Sequence, residues 1–204
     1  VNWEKLSIYA KSAEVDVIYI ADSFGSFSNY ETKDLFNNLK KHWDGEMGIH
    51  AHDNKRLALS NSICAINNGV TWIDSTITGM GRGAGNVRTE ELILELDQIN
   101  KKKTNIIPLL SIIDEFFAPM QKNYEWGSNS FYYMAANYSI HPSYIQKMIE
   151  EKYSLEDILA VIEYLNKSGG NKYNSSQLSE AKSFYHEKPY GQWSPSDILK
   201  NKDI

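Results

Sequence analysis

Over its first hundred residues the chain alternates between two hydrophobic periods, and few folds accept that alternation. Trp3, Leu6, Ile8, Tyr9 and Ala13 recur at helical spacing through about Glu14. Val15 to Asp22 is then a short apolar run rich in β-branched and aromatic residues, which suits a strand covered on both faces. Leu35, Phe36 and Leu39 mark a helix over 32–43, and Met47 to Asp53 reads as a second strand. A third helix spans 55–68, ended by Gly69. Val70 to Ser75 is a third strand, and a glycine-rich loop from Gly79 to Asn86 leads into a helix over 89–100. Strands separated by helical crossovers imply an α/β protein with parallel strands.

After Asn105 the pattern changes, and only helix-like segments remain: 108–120, 143–152, 155–167 and 177–185. Ser154 and Asp157 suit the start of the third. Ser168 to Asn171 reads as a turn, and the stretch from Glu187, with two prolines, as a surface tail. A domain boundary is therefore expected near 105, with an α/β part over 1–105 and a helical part over 106–204.

Composition removes several function classes. The net charge is −5, and Lys101–Lys103 is the only basic run, so a nucleic-acid partner is not expected. The single cysteine, Cys64, excludes an internal disulfide and a four-cysteine zinc site. The run Ile106 to Ile113 is far shorter than the roughly 20 residues of a membrane span, so no membrane partner is expected. No basic-then-apolar leader opens the chain, and a soluble cytoplasmic protein is the expectation.

The sharpest chemical feature is His50-Ala51-His52. Residues two apart on a strand share a face, so both imidazoles can reach one metal ion at about 2.0–2.1 Å. Two surface histidines without a ligand would carry the same spacing. Asp22-Ser23, Asp53-Asn54 and Asp74-Ser75 close the three strands, forming a polar rim where α/β folds place functional groups. The competing role for these residues is to cap the helices that follow. The loop Gly79 to Asn86 has four glycines in eight positions, which permits positive φ and close backbone approach. It is not a P-loop, because no Gly-Lys-Ser/Thr closes it. Asn86 can either offer an amide oxygen to a metal or cap the next helix.

Together these residues resemble a family. The stretch Gly48-Ile-His-Ala-His-Asp-Asn, then Ala58-Leu-Ser-Asn-Ser, then Asn68-Gly-Val-Thr-Trp-Ile-Asp-Ser-Thr-Ile-Thr-Gly-Met-Gly-Arg-Gly-Ala-Gly-Asn86 is similar to the divalent-metal TIM-barrel aldolases and acyl-CoA lyases/synthases, HMG-CoA lyase-like proteins among them. Its strongest likeness is to the 4-hydroxy-2-oxovalerate aldolases. Ile20 to Ser26 resembles that family's fifth barrel strand, and Asn129 to Ser139 its C-terminal segment; the likeness covers about residues 3 to 165. The resemblance implies that His50 and His52 ligate a Mn²⁺- or Mg²⁺-like ion and that Asn86 is a possible further ligand. It implies that Ser23 hydrogen-bonds the pyruvate portion of a small 2-oxo acid, and that Tyr138 lines the pocket to protonate an enolate, with core packing as the alternative for Tyr138. The implied activity is cleavage or formation of a C–C bond in a 4-hydroxy-2-oxo acid, giving pyruvate and an aldehyde. Claisen-type acyl-CoA chemistry and a non-catalytic binding module of the same fold are the alternatives.

The departure from that family is large. Its first barrel strand supplies an Asp ligand, an adjacent Arg and, in the aldolases, a His proposed as base, and none can be found here. Asp22, Asp53 and Asp74 are acidic neighbours, but none matches the family's carboxylate ligand. A whole (β/α)₈ barrel takes about 250 residues. The expectation is therefore the C-terminal half of a TIM barrel, strands 5–8, followed by a helical extension, present as a fragment inactive by itself. Open sheet edges suggest a homo-oligomer through strand pairing. An aldehyde dehydrogenase is a further partner that the resemblance suggests.

Overall fold

A computed structural model of the chain describes residues 2–186. Helix α1 (Trp3–Ser12) is capped by Asn2, whose side chain accepts from the Lys5 N–H. Strand β1 (Val17–Asp22) follows. Helix α2 (Asn29–Lys40) starts three residues before the expected Thr32. Ser28 and Glu31 form a reciprocal capping box there, which satisfies two of the first orphan donors. Strand β2 (Glu46–Ala51) and helix α3 (Ala58–Asn67) come next. Strand β3 is only Trp72–Ile73, shorter than the run 70–75 suggests. A 3₁₀ turn (Ile77–Gly79) and the glycine-rich loop lead to helix α4 (Thr89–Asn100), whose bounds agree with the pattern.

The three strands form one parallel sheet in the order β1-β2-β3, as the alternation predicts. A fourth strand of a half-barrel is not found among the described residues. Helices cover one face of the sheet. There Ile18, Met47, Ile49 and Ala51 join Phe36, Leu39, Trp43, Ala65 and Val87 in a single buried cluster. The opposite face departs from the expectation of strands covered on both sides. Tyr19, Gly48 and Trp72 stand in one register row across it, and Tyr19 and Trp72 are 39% and 50% exposed. The missing side chain at Gly48 lets the Tyr19 ring lie across β2, since a Cβ there would come within 2.6 Å of ring carbons. The Trp72 indole N–H donates to the Glu46 carboxylate on the same face.

Helix α5 (Ile107–Ile112), a π-helical turn (Ile113–Phe117) and helix α6 (Ala118–Tyr124) follow without a break. Pro119 has no N–H to give, and the hydrogen-bond ladder widens over the five residues leading to it. These helices belong to the first compact unit, which runs to Asn129. The change of pattern near 105 thus marks a change of element type, while the unit continues. Residues 126–128 tie it together. Trp126 donates its indole N–H to the Thr78 carbonyl at 3.2 Å, the Gly127 N–H reaches the Gly83 carbonyl, and the Ser128 hydroxyl donates to the Asn54 carbonyl.

The second unit begins at Ser130 and is helical as far as it is described. It contains α7 (Ser130–Asn137), α8 (Pro142–Glu150), α9 (Leu155–Ser168) and α10 (Ser175–His186). Helix α7 is the one the helical pattern did not delimit. Tyr144, fully buried, organises the unit: its hydroxyl reaches Gln177 Oε1 at 2.7 Å and accepts from the Asn174 N–H at 2.9 Å. The tail expected from Glu187 lies outside the described residues.

Phe36 is wholly buried under the sheet. Phe36→Ala is expected to cost about 3–5 kcal/mol of folding free energy, as a large cavity in an aromatic site does. Denaturant melts of the two proteins measure it.

Candidate functional site

Parallel register brings the three strand ends to one rim. Ala21 pairs with His50, Asp22 with Ala51, and Ile49 with Ile73. His50 lies within β2. His52 lies just beyond the strand, where it forms an antiparallel bridge with Asn86. Alternation still places both imidazoles on the open face of the sheet. Their ring centroids are 4.7 Å apart with the planes at 83°, so the two rings stand together.

Each ring is held through Nδ1. His50 Nδ1 lies 2.9 Å from Asp74 Oδ2, and His52 Nδ1 lies 2.8 Å from the Asp22 carbonyl oxygen. Both partners are acceptors when Asp74 is ionised. Each neutral ring then carries its proton on Nδ1 and leaves the Nε2 lone pair available, the arrangement of metal-ligating histidines. Burial pushes the His52 pKa down; the hydrogen bond to the Asp22 carbonyl opposes this, and His50 and Arg82 add to it.

Asn86 completes the grouping. Its Nδ2 donates to the Met80 carbonyl at 3.2 Å, while its Oδ1 is buried with no hydrogen-bond partner. A buried amide oxygen left without a donor costs about 1–3 kcal/mol. This one sits on the residue bridged to His52. An amide oxygen left without a donor in this way is a group that could ligate a cation. The loop is built to hold Asn86 there. The Gly85 carbonyl accepts from the Asp53 N–H at 3.0 Å, and the Asn86 N–H donates to the Gly79 carbonyl at 3.1 Å. Gly85 has φ +79°, and a Cβ there would run into the Gly79 backbone. The loop also contains strain. Thr78, β-branched and buried, has φ 55° and ψ 20°. Glu90 accepts its N–H at 3.0 Å, and Trp126 holds its carbonyl.

The other rim residues divide by role. Asp22 is 2% exposed, and its carboxylate accepts the Ser26 and Phe27 N–H groups at 3.0 Å each, turning the loop into α2; burial raises its pKa against those bonds. Asp53 accepts from the Ala58 N–H at the start of α3, and burial raises its pKa too. Asp53 thus supports the start of α3, as the capping alternative has it, whereas Asp22 ties the turn before α2 and leaves the cap itself to Ser28. Ser75 is engaged by the Thr89 hydroxyl. Ser23 is exposed at the end of β1. Tyr138 belongs to the second unit, one residue beyond α7, and is 45% exposed. Among the described residues no three His, Cys, Asp or Glu side chains cluster so as to hold a metal; the groups that could hold one here are two imidazoles and one amide oxygen. Sequence reasoning missed that Asp74 grips His50; the available signal was an aspartate closing the strand next to the histidines. No helix among the described residues is long and apolar enough to cross a membrane.

Comparison with known proteins gives a consistent picture. Residues 5–113, slightly more than half the chain, match the model of the HMGL-like family. The 4-hydroxy-2-oxovalerate aldolase of Geobacillus stearothermophilus is 38% identical over 121 residues, covering 57% of this chain and 35% of the relative. That of Carboxydothermus hydrogenoformans is 34% identical over 123 residues, 58% of this chain and 37% of the relative. The chain thus spans about a third of the length of the curated relatives it matches. Among solved structures, the N-terminal domain of a candidate aldolase from Bacteroides vulgatus superposes with a TM-score of 0.68 at 35% identity, over 78% of this chain and 52% of that one. The carboxyl transferase domain of Rhizobium etli pyruvate carboxylase, determined with pyruvate, shares the fold with a TM-score of 0.69 at 14% identity, over 97% of this chain and 36% of that one.

A depressed His52 pKa means that the folded state favours the neutral ring. The unfolded chain takes up that proton near its ordinary value, about 6.5. Stability is therefore fully present above about pH 6.5 and is lost as the pH falls below it. In chelator-treated protein, NMR titration is expected to place the His52 midpoint below that of a model imidazole. The thermal midpoint is expected to drop between pH 7.5 and 5.5.

Proposed function

The chain belongs to the HMGL-like family, and from that premise we propose that it forms part of a divalent-metal aldolase acting on a 4-hydroxy-2-oxo acid. In this reading β1, β2 and β3 are consecutive strands of the C-terminal half of a (β/α)₈ barrel, and the open face with Tyr19 and Trp72 is the barrel interior. The observation that carries the metal is the unpartnered Asn86 Oδ1 beside two histidines that are each anchored through Nδ1.

His50 Nε2, His52 Nε2 and Asn86 Oδ1 would hold a Mn²⁺ or Mg²⁺ ion. Such an ion, when bound, supplies Lewis acidity to the carboxylate and keto oxygens of a 2-oxo acid and leaves positions open for them. The chain's own groups do the rest. Imidazole ligands are neutral when they bind a cation, so the ion's charge would be left for the substrate. Ser23, exposed at the end of β1, would donate its hydroxyl to the pyruvate carboxylate. The family resemblance gives Tyr138 the role of proton donor to the enolate carbon once the C–C bond has broken. The proton on the C4 hydroxyl needs a separate base, because both histidines have their Nε2 lone pairs committed. Small 2-oxo acids are the substrate class, and pyruvate with an aldehyde are the products.

His52→Ala is expected to remove Mn²⁺ binding, read by calorimetric titration; unchanged affinity would reject the ligand assignment. Tyr138→Phe, assayed in the complete enzyme, is expected to lower turnover by about a hundredfold or more, as loss of a general acid does, without changing Mn²⁺ affinity. Equal turnover would return Tyr138 to a packing role.

A further inference from the structure

The two imidazoles are supported differently. His52 leans on a main-chain carbonyl, that of Asp22, fixed by the strand and by the buried Asp22 carboxylate gripping its own loop. His50 leans on a side chain, the Asp74 carboxylate, at 2.9 Å. Neither Asp22 nor Asp53 could replace it, since both carboxylates are engaged by backbone N–H groups. Asp74 follows β3 directly, and its N–H donates to the Ile49 carbonyl at 3.1 Å, which fixes its backbone against the residue before His50. The side chain is 48% exposed and forms no ion pair with a Lys or Arg among the described residues.

We propose that Asp74 is a positioning residue that locks His50 as its Nδ1–H tautomer and so turns Nε2 toward the shared cation site. This rests on the metal reading above for its consequence and on the geometry alone for the lock. A neutral imidazole in water favours the proton on Nε2, so an unheld His50 would present the wrong nitrogen much of the time. A carboxylate at hydrogen-bond distance from Nδ1 reverses that preference, and it orients the ring and raises its basicity as a ligand. His52 needs no such residue. Asp74 also faces Tyr19, whose phenol pKa is pushed up by burial first and by the Asp74 charge second. The carboxylate thereby links the rim to the open face of the sheet.

The test is ¹⁵N NMR of the histidine rings at about pH 8, without metal, on the wild type, Asp74→Ala and Asp74→Asn, followed by Mn²⁺ titration of each. In the wild type both His50 and His52 are expected to carry the proton on Nδ1. Asp74→Ala is expected to move His50 toward the Nε2–H form while His52, an internal control, keeps its pattern. Mn²⁺ affinity is expected to fall ten- to a hundredfold, the usual range for such an outer partner. Asp74→Asn keeps an acceptor oxygen, so the tautomer should be retained and affinity should be intermediate. An unchanged His50 pattern in Asp74→Ala overturns the proposal. Complete loss of Mn²⁺ binding with an unchanged pattern also overturns it, and makes Asp74 a direct ligand. If the wild type binds no Mn²⁺ but the tautomer shifts, the lock stands and the metal reading falls.

Discussion

The site depends on parallel pairing in a single register. Ala21 opposite His50, and Ile49 opposite Ile73, bring three strand ends level. From that alignment the Asp22 carbonyl meets one ring and the Asp74 carboxylate the other. A shift of one residue in β2 would send both imidazoles to the helix-covered face, among Ile18, Ile49 and Phe36, because side-chain direction reverses with every residue. The apolar cluster that forbids this slip is therefore part of the chemistry. Its buried residues hold β2 with Met47, Ile49 and Ala51 inward, and the histidines follow outward.

Much of this was legible before any coordinates. Strict alternation across His50-Ala51-His52 put two ring nitrogens on one face, and the helix over 89–100 had unambiguous period and bounds. The glycine loop drew attention to Asn86, with capping of the next helix as the alternative, and the family resemblance made it a possible further metal ligand. Other features were illegible for definite reasons. Tyr19 and Trp72 look like core residues in a linear run, and only the pairing with Gly48 shows them sharing an exposed row. The bond from Trp126 to Thr78 spans nearly fifty positions, so the reach of the first unit beyond 105 had no local signature. The capping box at Ser28 and Glu31 was present in the sequence, but Leu35, Phe36 and Leu39 drew the helix start too late.

Membership of the HMGL-like family agrees with the residues that the fold gathers: the match over 5–113 contains every strand of the sheet and the whole glycine loop. Asn86 stands out in two separate ways. One compares motifs. The other notices an amide oxygen with no donor in a fold where most buried polar atoms have one. Asp22 shows the reverse. Its place on the rim suggested chemistry, yet its carboxylate is spent on two backbone N–H groups while its carbonyl supports a ring.

Thr78 adds a mechanical consequence. A β-branched residue held in left-handed backbone stores on the order of 1–3 kcal/mol, and here Glu90 and Trp126 keep it wound. The glycine-rich segment that carries Asn86 therefore starts from a backbone position that two outside contacts hold in place. One of those contacts comes from the helix after the loop and the other from an indole 48 positions along the chain from Thr78.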